Sequence, residues 1–166
     1  MFNLMKQDVD ILALGEHLDW KKFELFISTI FNQVNYTVLT NFRFKDELTK
    51  YEIDVIAFKL PYIFVIDCKF YRIMTSSLIK DAVEKQRERV EALVESFPIL
   101  SDELTKKLLL PIKRKLFLFP ILISWRDHNI QFYQNIPIVP YNQLSGFLQE
   151  IDENRENLFY LNIRLN

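Results

Sequence analysis

Glycine is almost missing: Gly15 and Gly146 are the only two in 166 residues. A phosphate-cradling P-loop and a dinucleotide-binding G-x-G-x-x-G therefore cannot be written anywhere in the chain. Cysteine is scarcer still. The single Cys68 rules out an internal disulfide, and with His17 and His128 it leaves the set one ligand short of a closed four-ligand Cys/His zinc site. A lone cysteine fits a reducing compartment, and a cytoplasmic protein is expected. Residues 1–10 carry acids and no basic-then-apolar leader pattern. The longest apolar run, residues 116–125, is far short of the ~18 residues a membrane span needs, so neither export nor a membrane partner is expected. Charge of one sign is lacking too. A formal net charge of -1 gives no global basic footprint, so any contact with nucleic acid must be local.

What is abundant is apolar mass. Hydrophobic residues make up 49% of the chain, with 15 Phe and 7 Tyr, which excludes disorder and low-complexity scaffolding. The length suits one domain with a sizeable core, and no repeat or linker divides residues 1–166.

Apolar periodicity predicts a helix over residues 18–32, with Asp19 as N-cap and Asn35 as a left-handed stop. Strands follow over residues 36–44 and 51–59, joined by a charged turn, and after Pro61 over residues 62–71. The last of these is apolar on both faces until Asp67, as a central strand is. A long helix is expected over residues 78–97 and a short one over 101–110, stopped by Pro111. Residues 116–124 read as a strand that Pro120 should confine to an edge or a bulge. Its apolar residues 116–123, if exposed, would be a surface for a second copy. Short strands over 130–133 and 136–139, a helix over 142–151 and a closing strand over 158–165 complete the order. Helices with one apolar face must pack on a sheet, so the class is α/β with a central mixed sheet flanked by helices.

Chemistry gathers on the third strand. Ile63, Val65, Asp67 and Lys69 alternate onto one face, Phe64, Ile66, Cys68 and Phe70 onto the other. In the preceding strand Glu52, Asp54, Ile56 and Phe58 share a face, so a hairpin brings Asp54 towards Asp67 across the ladder. Two adjacent carboxylates repel unless a cation compensates, and magnesium prefers such hard oxygen ligands. At ~100° per residue, Glu24 lies about 20° from Phe31 beside the apolar stripe of its helix. Gln86 lies about 20° from Ile79 and ~40° from Val83 and Val90, in a buried stripe where an amide needs a partner. Each of these residues has a plain structural explanation alone; their coincidence favours a site. Lys80, Lys85, Arg87 and Arg89 on the long helix, with Lys113, Arg114 and Lys115, are candidate phosphate contacts, although interleaved acids suit a solvated face equally well. The turn Trp125–Arg126–Asp127–His128 ranks below this site, and Glu16 with His17 suggests no more than a capping or interaction segment.

The segments WKKFELFISTIF, YEIDVIAF, YIFVIDCKF and AVEKQRERVEAL resemble, in that order, the motifs of the PD-(D/E)xK or restriction-endonuclease-like nuclease superfamily, and NIPIVPYNQLSGFL is similar to the last strand and helix of Mrr-type members. The resemblance spans residues 20–151, with an α-β-β-β-α-β core of the Mrr or archaeal Holliday-junction-resolvase type over about residues 18–151. It implies Asp54, Asp67 and the backbone carbonyl of Cys68 as Mg²⁺ ligands, with Mn²⁺ as a substitute. It implies Lys69 as the group that orients the attacking water, Glu24 as a holder of metal or water, and Gln86 as a support. Ile53 stands where the motif has its proline, and Asp67 where glutamate is common. The function implied is metal-dependent phosphodiester hydrolysis, foremost as a DNA endonuclease, with RNA as the other substrate and a homodimer as one working form. The rival expectation is a nuclease-fold protein that binds or assembles without turnover.

Overall fold

In the computed structural model, which describes residues 19–165, the first helix, α1 (Trp20–Gln33), begins where Asp19 accepts the N–H of Lys22 at 2.9 Å. It ends at Asn35, whose φ of 65° allows the N–H groups of Asn35 and Tyr36 to reach the carbonyls of Asn32 and Phe31, a Schellman stop. The Glu16–His17 segment lies outside the described residues.

Three strands follow: β1 (Thr37–Lys45), β2 (Lys50–Lys59) and β3 (Tyr62–Lys69), each antiparallel to the one before. The long helix α2 (Ser76–Leu108) crosses over to β4 (Lys115–Ser124), which runs parallel to β3. Then come β5 (Phe132–Tyr133), β6 (Ile136–Pro140), α3 (Leu144–Asn154) and β7 (Leu161–Arg164). The sheet order is β1-β2-β3-β4-β6-β5, with β7 also on β4, so the sheet is mixed and has seven strands.

Helices cover both faces. Phe23, Ile27 and Phe31 of α1, with Leu144 and Ile151 of α3, bury against Val55, Phe64, Ile66, Phe119 and Ile121. On the other face Val90, Leu93 and Phe97 of α2 pack on Ile56, Ile63, Val65 and Leu118. This is the restriction-endonuclease-like arrangement that the motif order implied.

Four expectations are corrected. The two helices divided at residues 98–100 are one: α2 runs through Pro98, because Phe97, Leu104 and Leu108 beyond or beside it are all buried in the same core. Pro120 lies in an interior strand and not in a bulge, at a local gap in the ladder. It pairs in register with Val65, and on its other flank it falls between Leu118, the last residue paired with β7, and Leu122, the first paired with β6. That flank offers no ladder partner, so a missing N–H costs nothing there. Because β4 is interior and mostly buried, residues 116–123 offer no surface to a second copy.

The fourth correction concerns alternation. Val55 and Ala57 face α1, Ile56 and Phe58 face α2, yet Ile53 also lies on the α2 side, with Phe42 and Phe44 of β1. The face therefore slips by one residue at Asp54, opposite Asn41, which adopts φ 52° inside β1. Asparagine tolerates that left-handed conformation, and the kink wraps the outer half of the hairpin onto α2.

Candidate active site

The paired ladder of β2 and β3 stops at Val55–Ile66. Beyond it the Asp54 side chain takes the place of backbone: its Oδ2 accepts the N–H of Cys68 at 2.8 Å. The face slip thus turns Asp54 towards the end of β3. Burial and the charge of Asp67 raise its carboxyl to about 6, against the opposing pull of the Cys68 N–H, Arg89 and Lys69.

Asp67 is only 3% exposed. It continues the row of Ile63 and Val65 that faces α2, and two cations hold it: Lys69 Nζ lies 2.7 Å from Oδ2 and Arg89 Nη1 lies 3.2 Å from Oδ1. The lysine contact is ionic only, and Oδ2 remains buried without a hydrogen bond. The backbone carbonyl of Lys69 accepts the N–H of Trp125 at 3.0 Å, which ties the end of β3 to the end of β4.

Glu24, on the helix of the opposite face, is 7% exposed. Its carboxyl is pushed up to about 7, first by burial, then by Asp54, Glu52 and Asp67, with Lys21 opposing. Four acids from α1, β2 and β3 therefore share one field. The Cys68 thiol between Asp67 and Lys69 is likewise pushed up, by burial and then by Asp54, Asp67 and Glu24, and stays protonated.

Gln86 is fully buried. Its Nε2 donates to the Val65 carbonyl at 2.7 Å, and its Oε1 accepts from Arg89 Nη1. The buried amide thus finds the partners its position requires, one on the strand and one on its own helix. Arg89 is turned inward onto Asp67 and Gln86, whereas the sequence had placed it among outward phosphate contacts. At ~100° per residue it lies ~60° from Gln86, and that proximity to the buried stripe was the available signal. Glu52, which adds to the field on Glu24, carries no such mark: it pairs with Arg43 at 2.9 Å on the hairpin surface.

The other basic residues are dispersed. Lys85 pairs with Asp81 and Arg87 with Glu91 on exposed turns of α2, while Lys80 lies over the Tyr133 ring. Lys113 and Arg114 precede β4 and Lys115 opens it, at the opposite end of the sheet. Lys115 comes seven residues before Leu122, the register partner of Asp67, a separation of roughly 23 Å along the strand. The turn after β4 is held by Ser124, whose Oγ donates to the Arg126 carbonyl at 2.9 Å and lies 3.1 Å from His128 Nε2.

Glu24, Asp54 and Asp67 offer hard oxygen donors, and the buried Oδ2 of Asp67 already faces a cation, the Lys69 ammonium at 2.7 Å. Among the described residues no three His, Cys, Asp or Glu side chains are gathered to hold an ion without rearrangement. The donor chemistry fits a divalent cation; its placement requires Asp67 to exchange a partner. Among the described residues no helix is long and apolar enough to cross a membrane.

Comparison with known proteins agrees with the fold and the motif order. The family described as the nuclease-related domain, NERD, matches residues 12–119. An uncharacterised protein of Archaeoglobus fulgidus is 30% identical over 135 residues, covering 80% of this chain and 91% of that protein. A crystal structure of a protein of unknown function aligns over 78% of this chain, with 14% identity and a TM-score of 0.36, and the chain spans 54% of that protein's length. The match to the nuclease-related domain extends from α1 into β4 and takes in Glu24, Asp54, Asp67, Lys69 and Gln86, so the chain belongs to the nuclease-related domain family, with a PD-(D/E)xK-like core.

Proposed function

We propose that the protein is a Mg²⁺-dependent nuclease that hydrolyses phosphodiester bonds in DNA and acts as an endonuclease. The observation that carries this reading is the convergence of Asp54, Asp67 and Lys69 at the end of β3 with the buried Glu24 facing the same end from α1. Asp54, Asp67 and the carbonyl of Cys68 would hold the ion. When bound, Mg²⁺ supplies a water nucleophile at neutral pH and offsets charge on the scissile phosphate.

The remaining work belongs to the chain. Lys69 orients the attacking water and adds positive charge beside the phosphate as its own negative charge grows. Strand periodicity puts its backbone two residues from Asp67 on the same face, which keeps the ammonium within reach of the acid. Glu24 holds the ion or the water from the α1 side. Gln86 supports the site by joining α2 to the Val65 carbonyl. Lys80, Lys85 and Arg87 lie on the exposed side of α2 and are the candidates for backbone contacts away from the scissile bond. Lys113–Lys115 would reach only a far part of a bound duplex.

A substrate panel tests this reading: supercoiled, linear, single-stranded and branched DNA, and RNA, each with Mg²⁺, Mn²⁺ or EDTA. Cutting that requires the metal and prefers DNA is expected. No cutting of any substrate, together with no calorimetric Mn²⁺ binding, would overturn it.

A further inference from the structure

Asp67 is held by two cations of different origin. Lys69 comes from the same strand, two residues away, with Nζ 2.7 Å from Oδ2. Arg89 reaches across from α2, with Nη1 3.2 Å from Oδ1. The same Nη1 donates to Gln86 Oε1, and Gln86 Nε2 donates to the Val65 carbonyl. A closed circuit results, from the backbone of β3 through Gln86 to Arg89 and back to β3 at Asp67. The circuit aims a guanidinium at a carboxylate that is 3% exposed, where an unpaired charge would be costly.

We infer that Arg89 is an exchangeable counter-charge: it neutralises Asp67 in the metal-free protein and becomes a phosphate-binding donor when a divalent cation takes Asp67, with Gln86 as its positioning residue. The inference rests on the divalent-cation site proposed above. Three observations support it. Among the described residues no three acidic, histidine or cysteine side chains are gathered to hold an ion, and Arg89 occupies one oxygen that such an ion would need. The Arg89 side chain is 20% exposed against 5% for that of Asp67, so it spans from the buried acid towards solvent. A guanidinium also fits carboxylate and phosphate with the same planar fork.

Charge balance points the same way. Glu24, Asp54 and Asp67, when ionised, exceed Lys69 and Arg89 by one negative charge. A divalent cation reverses that to one positive charge, which a single phosphodiester cancels. Without Arg89 the loaded site would be neutral before substrate arrived and would have less hold on the backbone.

The test compares the wild-type chain with Arg89→Gln, Arg89→Lys and Gln86→Leu. Mn²⁺ affinity is read by calorimetry, and KM and kcat are read on a DNA that the wild type cleaves. Arg89→Gln should bind Mn²⁺ at least ~5-fold more tightly, the lower end of ordinary coupling between sites, while KM for DNA rises. Arg89→Lys should restore Mn²⁺ affinity towards wild type, because the competing charge is back. Gln86→Leu should raise KM more than it changes Mn²⁺ affinity. Unchanged or weaker Mn²⁺ binding by Arg89→Gln, with Arg89→Lys equal to it, would overturn the inference and make Arg89 a structural brace. A wild type that binds no Mn²⁺ would instead remove the cation site on which it rests.

Discussion

Asp54 has two duties that substitution can separate. Its Oδ2 accepts the Cys68 N–H at 2.8 Å, and its charge belongs to the proposed cation site. Asp54→Asn keeps an acceptor for the N–H and should fold with near wild-type stability while losing Mn²⁺ binding. Asp54→Ala leaves the N–H unsatisfied and should cost about 1–3 kcal/mol in denaturant unfolding as well. Equal stability of the two variants would show that the bond does no structural work. Glu24 and Gln86 were legible in the sequence because each is a polar residue at an angle reserved for apolar ones. Asp67 and Lys69 were legible only through their coincidence with Glu24, Asp54 and Gln86, because a D-x-K ending a strand apolar on both faces reads equally as a simple neutralised pair. Arg89 was legible only in part: its angle sets it beside the buried stripe, but its pairing depends on Asp67 of β3, which no pattern within the helix reveals.

Most of the elements could be drawn from periodicity and caps, and the exceptions share a cause. Pro98, Pro120 and Asn41 each break a local rule that tertiary packing overrides. Pro98 stays in α2 because buried Phe97, Leu104 and Leu108 hold the helix on both sides of it. Pro98→Ala restores a helical N–H at an exposed position and should stabilise the protein by about 1–3 kcal/mol, seen as a higher denaturant midpoint with an unchanged slope. The slip of faces at Asn41 and Asp54 was illegible because strict alternation still looks correct on either side of it. The β1–β2 turn, by contrast, is built by one side chain. Asp46 accepts the N–H groups of Thr49 at 2.6 Å and Leu48 at 2.8 Å, and these bonds hold its carboxyl below the usual range. A lowered carboxyl stabilises the fold above its ordinary value and loses that contribution as pH falls through the lowered one. The melting temperature of Asp46→Ala should therefore lie below wild type at pH 7, and the gap should close in strong acid.

At the scale of the molecule, the sheet separates two cores and delivers the N-terminal half of α1, the middle of β2 and the end of β3 to one place. The α1-side core is markedly aromatic: Phe64 is fully buried with rings of Phe31, Tyr36, Tyr62, Phe119 and Phe147 around it. Phe64→Ala should cost about 3–5 kcal/mol in chemical denaturation, and a loss below 1 kcal/mol would mean that this layer collapses readily around the gap. The mixed sheet was readable from the order of elements, whereas the position of Lys113–Lys115 at the end away from Asp67 was not, because the parallel crossover through α2 sets which end of β4 meets which end of β3. The role proposed for the acids and lysine at the end of β3 is metal-dependent phosphodiester cleavage. Single-turnover cleavage of supercoiled DNA in Mg²⁺ by wild type, Asp67→Ala and Lys69→Ala tests it most directly, with folding checked by circular dichroism. Each variant should fold and cut about 10²-fold more slowly or not at all; folded variants that cut at the wild-type rate would show that these residues do not carry the reaction.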